Sequence, residues 1–106
     1  MIITTTPSIE GHQITKYHGV IIGETVMGAN VFRDFMASMR DFFGGRSRSY
    51  EEVLTLAKDE SMRELEKRAL QIGANAVVGV KMDFEALGQK NGMMMVVVSG
   101  TAVTIE

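Results

Sequence analysis

The stretch GGRSRSYEE, residues 44–52, holds the densest set of groups that could bind a small anion. Its arginines offer guanidinium groups, its glycines leave backbone N–H groups accessible, and a helix is expected to start just after it. All three features favour phosphate or carboxylate, because the N-terminus of a helix carries partial positive charge. The stretch therefore predicts a small-ligand site formed by Arg46, Ser47, Arg48 and Tyr50.

The same stretch also has the pattern of a turn followed by a helix cap. Ser49 and Glu52 fit the S-x-x-E capping box, in which each side chain bonds the other residue's backbone N–H. Glu51 and Glu52 place negative charge at the helix N-terminus, where a phosphate would have to sit. No GK[ST] sequence follows, so the P-loop pattern is excluded. The pattern favours the turn and cap, with a ligand site and a subunit contact as the alternatives.

Three side chains are candidates for holding a metal ion, namely His18, Asp83 and Glu85. The two carboxylates lie on one face of an expected strand, about 7 Å apart, and Glu24 is expected on a neighbouring strand. Such oxygen ligands suit Mg²⁺ or Ca²⁺, and two carboxylates can also act as an acid/base pair. The alternatives are solvated carboxylates and a packed, hydrogen-bonded histidine.

Other chemistry is limited by composition. The chain has no cysteine, which excludes disulfides, thiolate nucleophiles and zinc–thiolate sites. Its nine methionines include the run MMM at 93–95, whose thioethers could bind Cu(I), although their spread favours packing. No G-x-S-x-G or GxGxxG pattern occurs. The sequence therefore identifies no cofactor and favours a protein that is not an enzyme.

Length and charge predict one domain over residues 1–106, without the basic stripe of a nucleic-acid-binding protein. The net charge is −2, and acidic and basic residues are interleaved. We find no apolar run long enough to span a bilayer and no signal-peptide pattern. The expected protein is cytoplasmic, with neither nucleic acid nor membrane as a partner.

Hydrophobic periodicity predicts an α+β fold with the order β-β-α-α-β-β. Two helices are expected on one face of an antiparallel sheet. Gly19 and Gly23 interrupt the second strand, which indicates a bulge, a bend or the close approach of another backbone. After a short strand near the N-terminus, the predicted elements are a strand at 13–28, helices at 30–43 and 50–72, and strands at 75–86 and 93–106.

The last strand, MMMVVVSGTAVTIE, is apolar on both faces. Two helices can cover only one face of the sheet, so the second face needs a different cover. A neighbouring copy of the chain would supply it. The sequence therefore predicts a homo-oligomer.

Four segments resemble blocks of the YbjQ-like proteins, a family of small uncharacterised proteins. They are GVIIGETVMGANV at 19–31, FFGGRSRSYEEVL at 42–54, GANAVVGVKMDFE at 73–85 and GTAV at 100–103. The resemblance covers the whole chain and implies a symmetric ring, as a pentamer or two stacked rings. The family carries a heavy-metal-binding label, although thiolate ligands are missing here.

Three classes of function follow. The first is a homo-oligomeric structural or small-ligand-binding protein with its site where subunits meet. The second is a metal-binding protein, as the family label suggests. The third is an enzyme with a composite site between subunits.

Overall fold

A four-stranded sheet and one helix form the part of the chain that the computed structural model describes, residues 1–27, 48–87 and 93–106. Within these ranges the side chains of residues 48–51, 53, 86 and 87 are not described. The predicted helix at 30–43 and most of the predicted turn after the third strand lie outside the described residues. The elements are β1 (Ile2–Ile3), β2 (Ile14–Met27), α1 (Arg48–Gln71), β3 (Ala76–Leu87) and β4 (Met93–Ile105).

The sheet is mixed, which corrects the prediction of an antiparallel sheet. Its strand order is β1-β3-β4-β2, and β1 runs parallel to β3 while the other pairs are antiparallel. Parallel neighbours need a long connection, and the chain between β1 and β3 is long enough to supply it. Past β1 the N-terminal segment continues along β3, with Thr4 N–H donating to Val77 O at 2.9 Å and Gly79 N–H to Thr6 O at 2.9 Å.

Strand β4 occupies the centre of the sheet, between β3 and β2. Burial alternates along it: Met94, Val96 and Val98 are buried, whereas Met95 and Val97 are half-buried. Successive side chains of a strand point to opposite faces, so this alternation separates a covered face from an open one.

Helix α1 covers the buried face. Leu65 is fully buried and packs with Val77 and Val98, while Ala57 packs with Met94 and Val96 further along the sheet. The described helix starts at Arg48, which places Ser49 in its first turn. No helix among the described residues is long and apolar enough to cross a membrane.

A glycine ends helix α1. Gly73 has φ 87°, the left-handed conformation that stops a helix at its C-terminus. Its N–H donates to Leu70 O at 3.1 Å, and Ala74 N–H donates to Ala69 O at 3.0 Å. These two bonds satisfy carbonyl groups that the last turn would otherwise leave unpaired.

The helix and β2 meet at two small residues, Gly23 and Ser61. A Cβ placed on Gly23 would collide with the backbone oxygen of Ser61 and lie 2.7 Å from the backbone nitrogen of Leu65. Ser61 is fully buried, and its hydroxyl lies 2.8 Å from Thr25 Oγ1 and donates to Val96 O at 3.3 Å. The glycine therefore fixes how closely helix and sheet can approach.

Candidate functional site

The predicted ligand residues fall at the edge of the described structure. Arg46 and Ser47 lie outside it, and Arg48 and Tyr50 are in the first turn of α1 with side chains that are not described. The ligand site at these four residues stays a prediction.

His18 is half-buried and has a hydrogen-bond partner on the neighbouring strand. It lies on β2 beside a bulge at Gly19, whose φ is 116°. Its Nε2 is 2.7 Å from the hydroxyl of Thr104 on the neighbouring strand, and the pair is partly buried. The imidazole therefore has a hydrogen-bond partner from the protein.

The carboxylates of Asp83 and Glu85 lie on the exposed face of β3. Asp83 pairs with Val97 of β4, and Val97 pairs with Glu24 of β2, so the three residues form one row across the sheet. Strands are about 4.8 Å apart, which puts Asp83 and Glu24 about 10 Å from each other. Asp83 also has a cation nearby, since its Oδ1 is 3.7 Å from Lys81 Nζ.

The predicted metal ligands are therefore not brought together. Within the described part of the chain, no group of three or more His, Cys, Asp or Glu side chains could hold a metal ion. His18 is six residues from Glu24 along β2, or about 20 Å at 3.3 Å per residue. A single-chain site made from His18, Asp83 and Glu85 has no geometric support.

Arg68 forms an ion-pair cluster that sequence reasoning missed. Its guanidinium reaches from α1 around the edge of the sheet, where it donates to both oxygens of Glu24 at 2.8 and 3.2 Å and to the backbone oxygen of Ile22. Its Nε is also 3.3 Å from a carboxylate oxygen of Glu64, its i, i+4 neighbour on the helix. The cluster joins the C-terminal half of the helix to the edge strand.

The ion-pair cluster changes the titration of Glu24. Hydrogen bonds from Arg68 lower the pKa of Glu24 below its ordinary value, against a smaller opposing effect of desolvation. A lowered pKa in the folded state means that ionised Glu24 stabilises the fold above its unfolded pKa of about 4.5, and that this stabilisation is lost as pH falls through the folded pKa. Both side chains are over a third exposed, so the effect is modest.

We expect Glu24→Gln to lower the melting temperature at pH 7 and to have a smaller effect at pH 3. The substitution removes the charge that Arg68 holds, and wild-type Glu24 loses the same charge as the pH falls through its lowered pKa. Thermal unfolding followed by circular dichroism at both pH values measures the difference. Glu60→Gln is the matched control, because Glu60 pairs with exposed Arg63 on the same helix. An equal loss at both pH values would show that the charge is not responsible.

A groove of about 610 Å³ lies beside β1 and the segment after it. Its hydroxyl groups bond one another and the backbone: Thr4 Oγ1 and Thr6 Oγ1 are 2.9 Å apart, and Thr6 Oγ1 donates to Ser8 O at 2.6 Å. Groups that are already bonded offer little to a ligand. This groove is a weak candidate.

The largest candidate surface is the face of the sheet opposite α1, which we call the open face. Among its apolar residues Val20 is 75% exposed, Val26 52% and Ile22 45%. Its charged residues stand at the two margins, on β3 and on β2. Its members by strand register are Val20, Ile22, Glu24, Val26, Lys81, Asp83, Glu85, Met93, Met95, Val97, Ser99 and Thr101.

One end of this face is covered by the chain itself. Ile9 and Ile14 pack over buried Val78 and Val103. Beyond that end, towards Met93, no described residue packs over the face. An apolar centre with charged margins is the arrangement found in protein–protein interfaces.

Comparison with known proteins identifies the family. The family model described as "Putative heavy-metal-binding", YbjQ_1, matches residues 1–106. The chain belongs to this family. UPF0145 proteins of Clostridium botulinum (strain Eklund 17B / Type B) and Actinobacillus pleuropneumoniae (serotype 5b, strain L20) are 58% and 57% identical to it over 106 residues, covering 100% of both chains in each case.

The fold has a counterpart among solved structures. The crystal structure of a protein with unknown function from Pediococcus pentosaceus ATCC 25745, of the DUF74 family, aligns with a TM-score of 0.66. The alignment covers 100% of this chain and 98% of the other at 18% identity. The structural similarity supports the α+β fold of the family. Among the relatives described here, a function is stated by the family label alone.

Proposed function

We propose that this YbjQ-like protein is a homo-oligomeric structural or small-ligand-binding protein, with the ligand held where subunits meet. The observation that carries the proposal is the open face of the sheet. Apolar side chains lie on it in two adjacent strands, β2 and β4. A neighbouring subunit would remove them from water.

The size of the face supports the proposal. Three strands about 4.8 Å apart, each contributing about seven residues at 3.3 Å, make a surface of about 15 by 20 Å. The apolar side chains occupy two of the three strands, or about 200 Å², and covering them contributes about 5 kcal/mol before the costs of association, at about 25 cal/mol per Å².

The resemblance to the family favours a pentamer as the assembly, either as one ring or as two rings in a decamer. The alternative of a metal-binding protein has the family label and the exposed carboxylates Asp83 and Glu85 in its favour. Those carboxylates are far from His18 in one subunit, so a metal site that uses all three residues would have to combine different subunits.

Native mass spectrometry of untagged protein, purified without chelators, tests the proposal. We expect a multiple of the 11.6 kDa subunit mass. A bound small molecule would add a mass that scales with the number of subunits, and a metal would be identified by elemental analysis of the same sample. Monomer as the main species at micromolar protein concentration would overturn the proposal.

A further inference from the structure

We infer that the open face of each subunit is covered by residues 30–43 of a neighbouring copy, which pack on it as the amphipathic helix that their sequence predicts. This inference rests on the proposed homo-oligomer and names the segment that makes its contact. Two observations carry it. One is the apolar centre of the open face, and the other is where the described chain stops before this segment and resumes after it.

Residues 30–43 have the pattern of a helix with a single apolar side. The large apolar residues of this stripe recur at spacings of three and four, and they are Phe32, Phe35, Met36, Met39 and Phe43. The opposite side carries Asp34 and Asp41. From its first to its last residue the stripe spans about 17 Å at 1.5 Å per residue, close to the length of about 20 Å of the open face. A helix with such a stripe fits an apolar sheet face of that length.

The two ends of the segment lie at the same end of the sheet. Met27, which precedes it, pairs with Met94 near the start of β4. Ala57 packs with Met94, and α1 begins at Arg48, nine residues earlier, or about 13 Å away along the helix. The chain therefore leaves the described structure and returns to it near the start of β4, and it returns in the layer of α1.

The segment is too short to cover the open face of its own subunit. A helix on that face and α1 on the other would each lie about 10 Å from the sheet, so about 20 Å would separate the two layers. Residues 44–48 reach at most about 18 Å when fully extended, at about 3.6 Å per residue, and they would also have to pass around the sheet. A helix that ran back along β2 would add up to its own length, about 21 Å, to that distance.

A second copy of the chain is the occupant that fits these lengths. Each copy has an apolar sheet face and an apolar helix stripe that cannot reach it, so each copy supplies what its neighbour needs. The other undescribed stretch, residues 88–92, joins β3 to β4 and is too short to cover a face of about 15 by 20 Å.

The contact joins two different surfaces, which makes it heterologous. Heterologous contacts repeat from copy to copy and close into a ring when the rotation allows it. The contact therefore agrees with the ring that the family resemblance implies. It differs from the sequence expectation in which both predicted helices cover the same face of one sheet.

Site-directed cross-linking tests the contact, and introduced thiols are unique because the chain has no cysteine. We compare the double variant Met36→Cys/Val97→Cys with each single variant on denaturing gels, after treatment with a short bifunctional maleimide. The double variant is expected to give a ladder at multiples of 11.6 kDa, whereas each single variant stays at the subunit mass. Ser38→Cys/Val97→Cys is the matched control and should give at least tenfold less cross-linking, because position 38 lies outside the apolar stripe.

A charge on the stripe gives a second test. Phe35→Glu is expected to need at least tenfold more protein for half-assembly in analytical ultracentrifugation, because the contact would bury an unpaired carboxylate. Ser38→Glu adds the same charge outside the stripe and should remain within about twofold of wild type. Circular dichroism of both variants shows that the subunit is folded. Assembly of Phe35→Glu at wild-type concentrations would remove the stripe from the contact and overturn the inference.

The outcomes separate this inference from the proposed function. Native mass spectrometry first shows that each cysteine variant assembles, and Met39→Cys replaces Met36→Cys if that variant does not. A ladder that requires both thiols supports the contact. Thiols joined within one chain, thiols not joined in an assembled protein, or Val97→Cys linked to its own counterpart all overturn it and leave the homo-oligomer standing. A wild-type monomer overturns both the contact and the proposed function.

Discussion

Gly23→Ala is expected to lower the free energy of unfolding by about 3 kcal/mol, or to prevent folding at 37 °C. The added methyl group would overlap the backbone oxygen of Ser61 and approach the backbone nitrogen of Leu65. Backbone atoms in the middle of α1 cannot rotate away, so the whole helix would have to move off the sheet. Such a movement loosens the contacts of Leu65, which is fully buried. Urea unfolding followed by circular dichroism at pH 7 measures the loss.

Gly100→Ala is the matched control, because it adds the same group to the same covered face of the sheet. There the new methyl group would meet two side-chain ends, Val77 Cγ1 at 2.7 Å and Val80 Cγ2 at 3.1 Å, and would approach a backbone atom, Val78 O, only to 3.3 Å. Side-chain ends can adjust, so we expect a loss of about 1 kcal/mol. Equal losses for the two variants would mean that the helix backbone is not what makes Gly23 necessary.

Much of this contact could be anticipated from the sequence. Gly19 and Gly23 interrupt a strand rich in branched residues, and the expected causes were a bulge, a bend or the approach of another backbone. The structure shows a bulge at Gly19, with φ 116° and a register shift against β4, and a backbone approach at Gly23. The residue type identified the two positions, but which explanation applied to which glycine depended on where the helix lies.

Contacts between distant residues could not be anticipated. The i, i+4 spacing of Glu64 and Arg68 is visible in the sequence, but the guanidinium of Arg68 also binds Glu24, 44 residues away. The parallel pairing of β1 was missed for a similar reason. A strand of two residues has no periodicity of its own, and its direction is set by the strand against which it lies.

The open face of the sheet was likewise only partly predictable from the sequence. The apolar character of both faces of β4 was visible in the sequence, and so was the need for a second cover. Which side chains share the open face with Val97 became known only from the pairing register, because a one-residue slip would have turned every one of them to the other face.

Val97→Lys is expected to abolish assembly while leaving the subunit folded. Val97 lies on the open face at the centre of the sheet and is only half-buried in the single chain, so a lysine there can extend into water as long as no partner covers it. In an assembled contact the same ammonium group would be buried among apolar side chains without a partner. That costs several kcal/mol, or more than a hundredfold in the dissociation constant. Native mass spectrometry and circular dichroism of the same sample separate assembly from folding.

The neighbouring substitution Val96→Lys helps to separate a loss of assembly from a loss of folding. Val96 is fully buried beneath α1, one residue away and on the opposite face, so its replacement should prevent folding altogether. Leu70→Lys, at a helix position that is 58% exposed, should change neither folding nor assembly. If Val97→Lys still assembles as wild type does, the open face is not a subunit contact, whatever the oligomeric state. If it unfolds as Val96→Lys does, that face is covered within each subunit. Loss of assembly with the fold retained is the one result that requires a second copy of the chain on the open face.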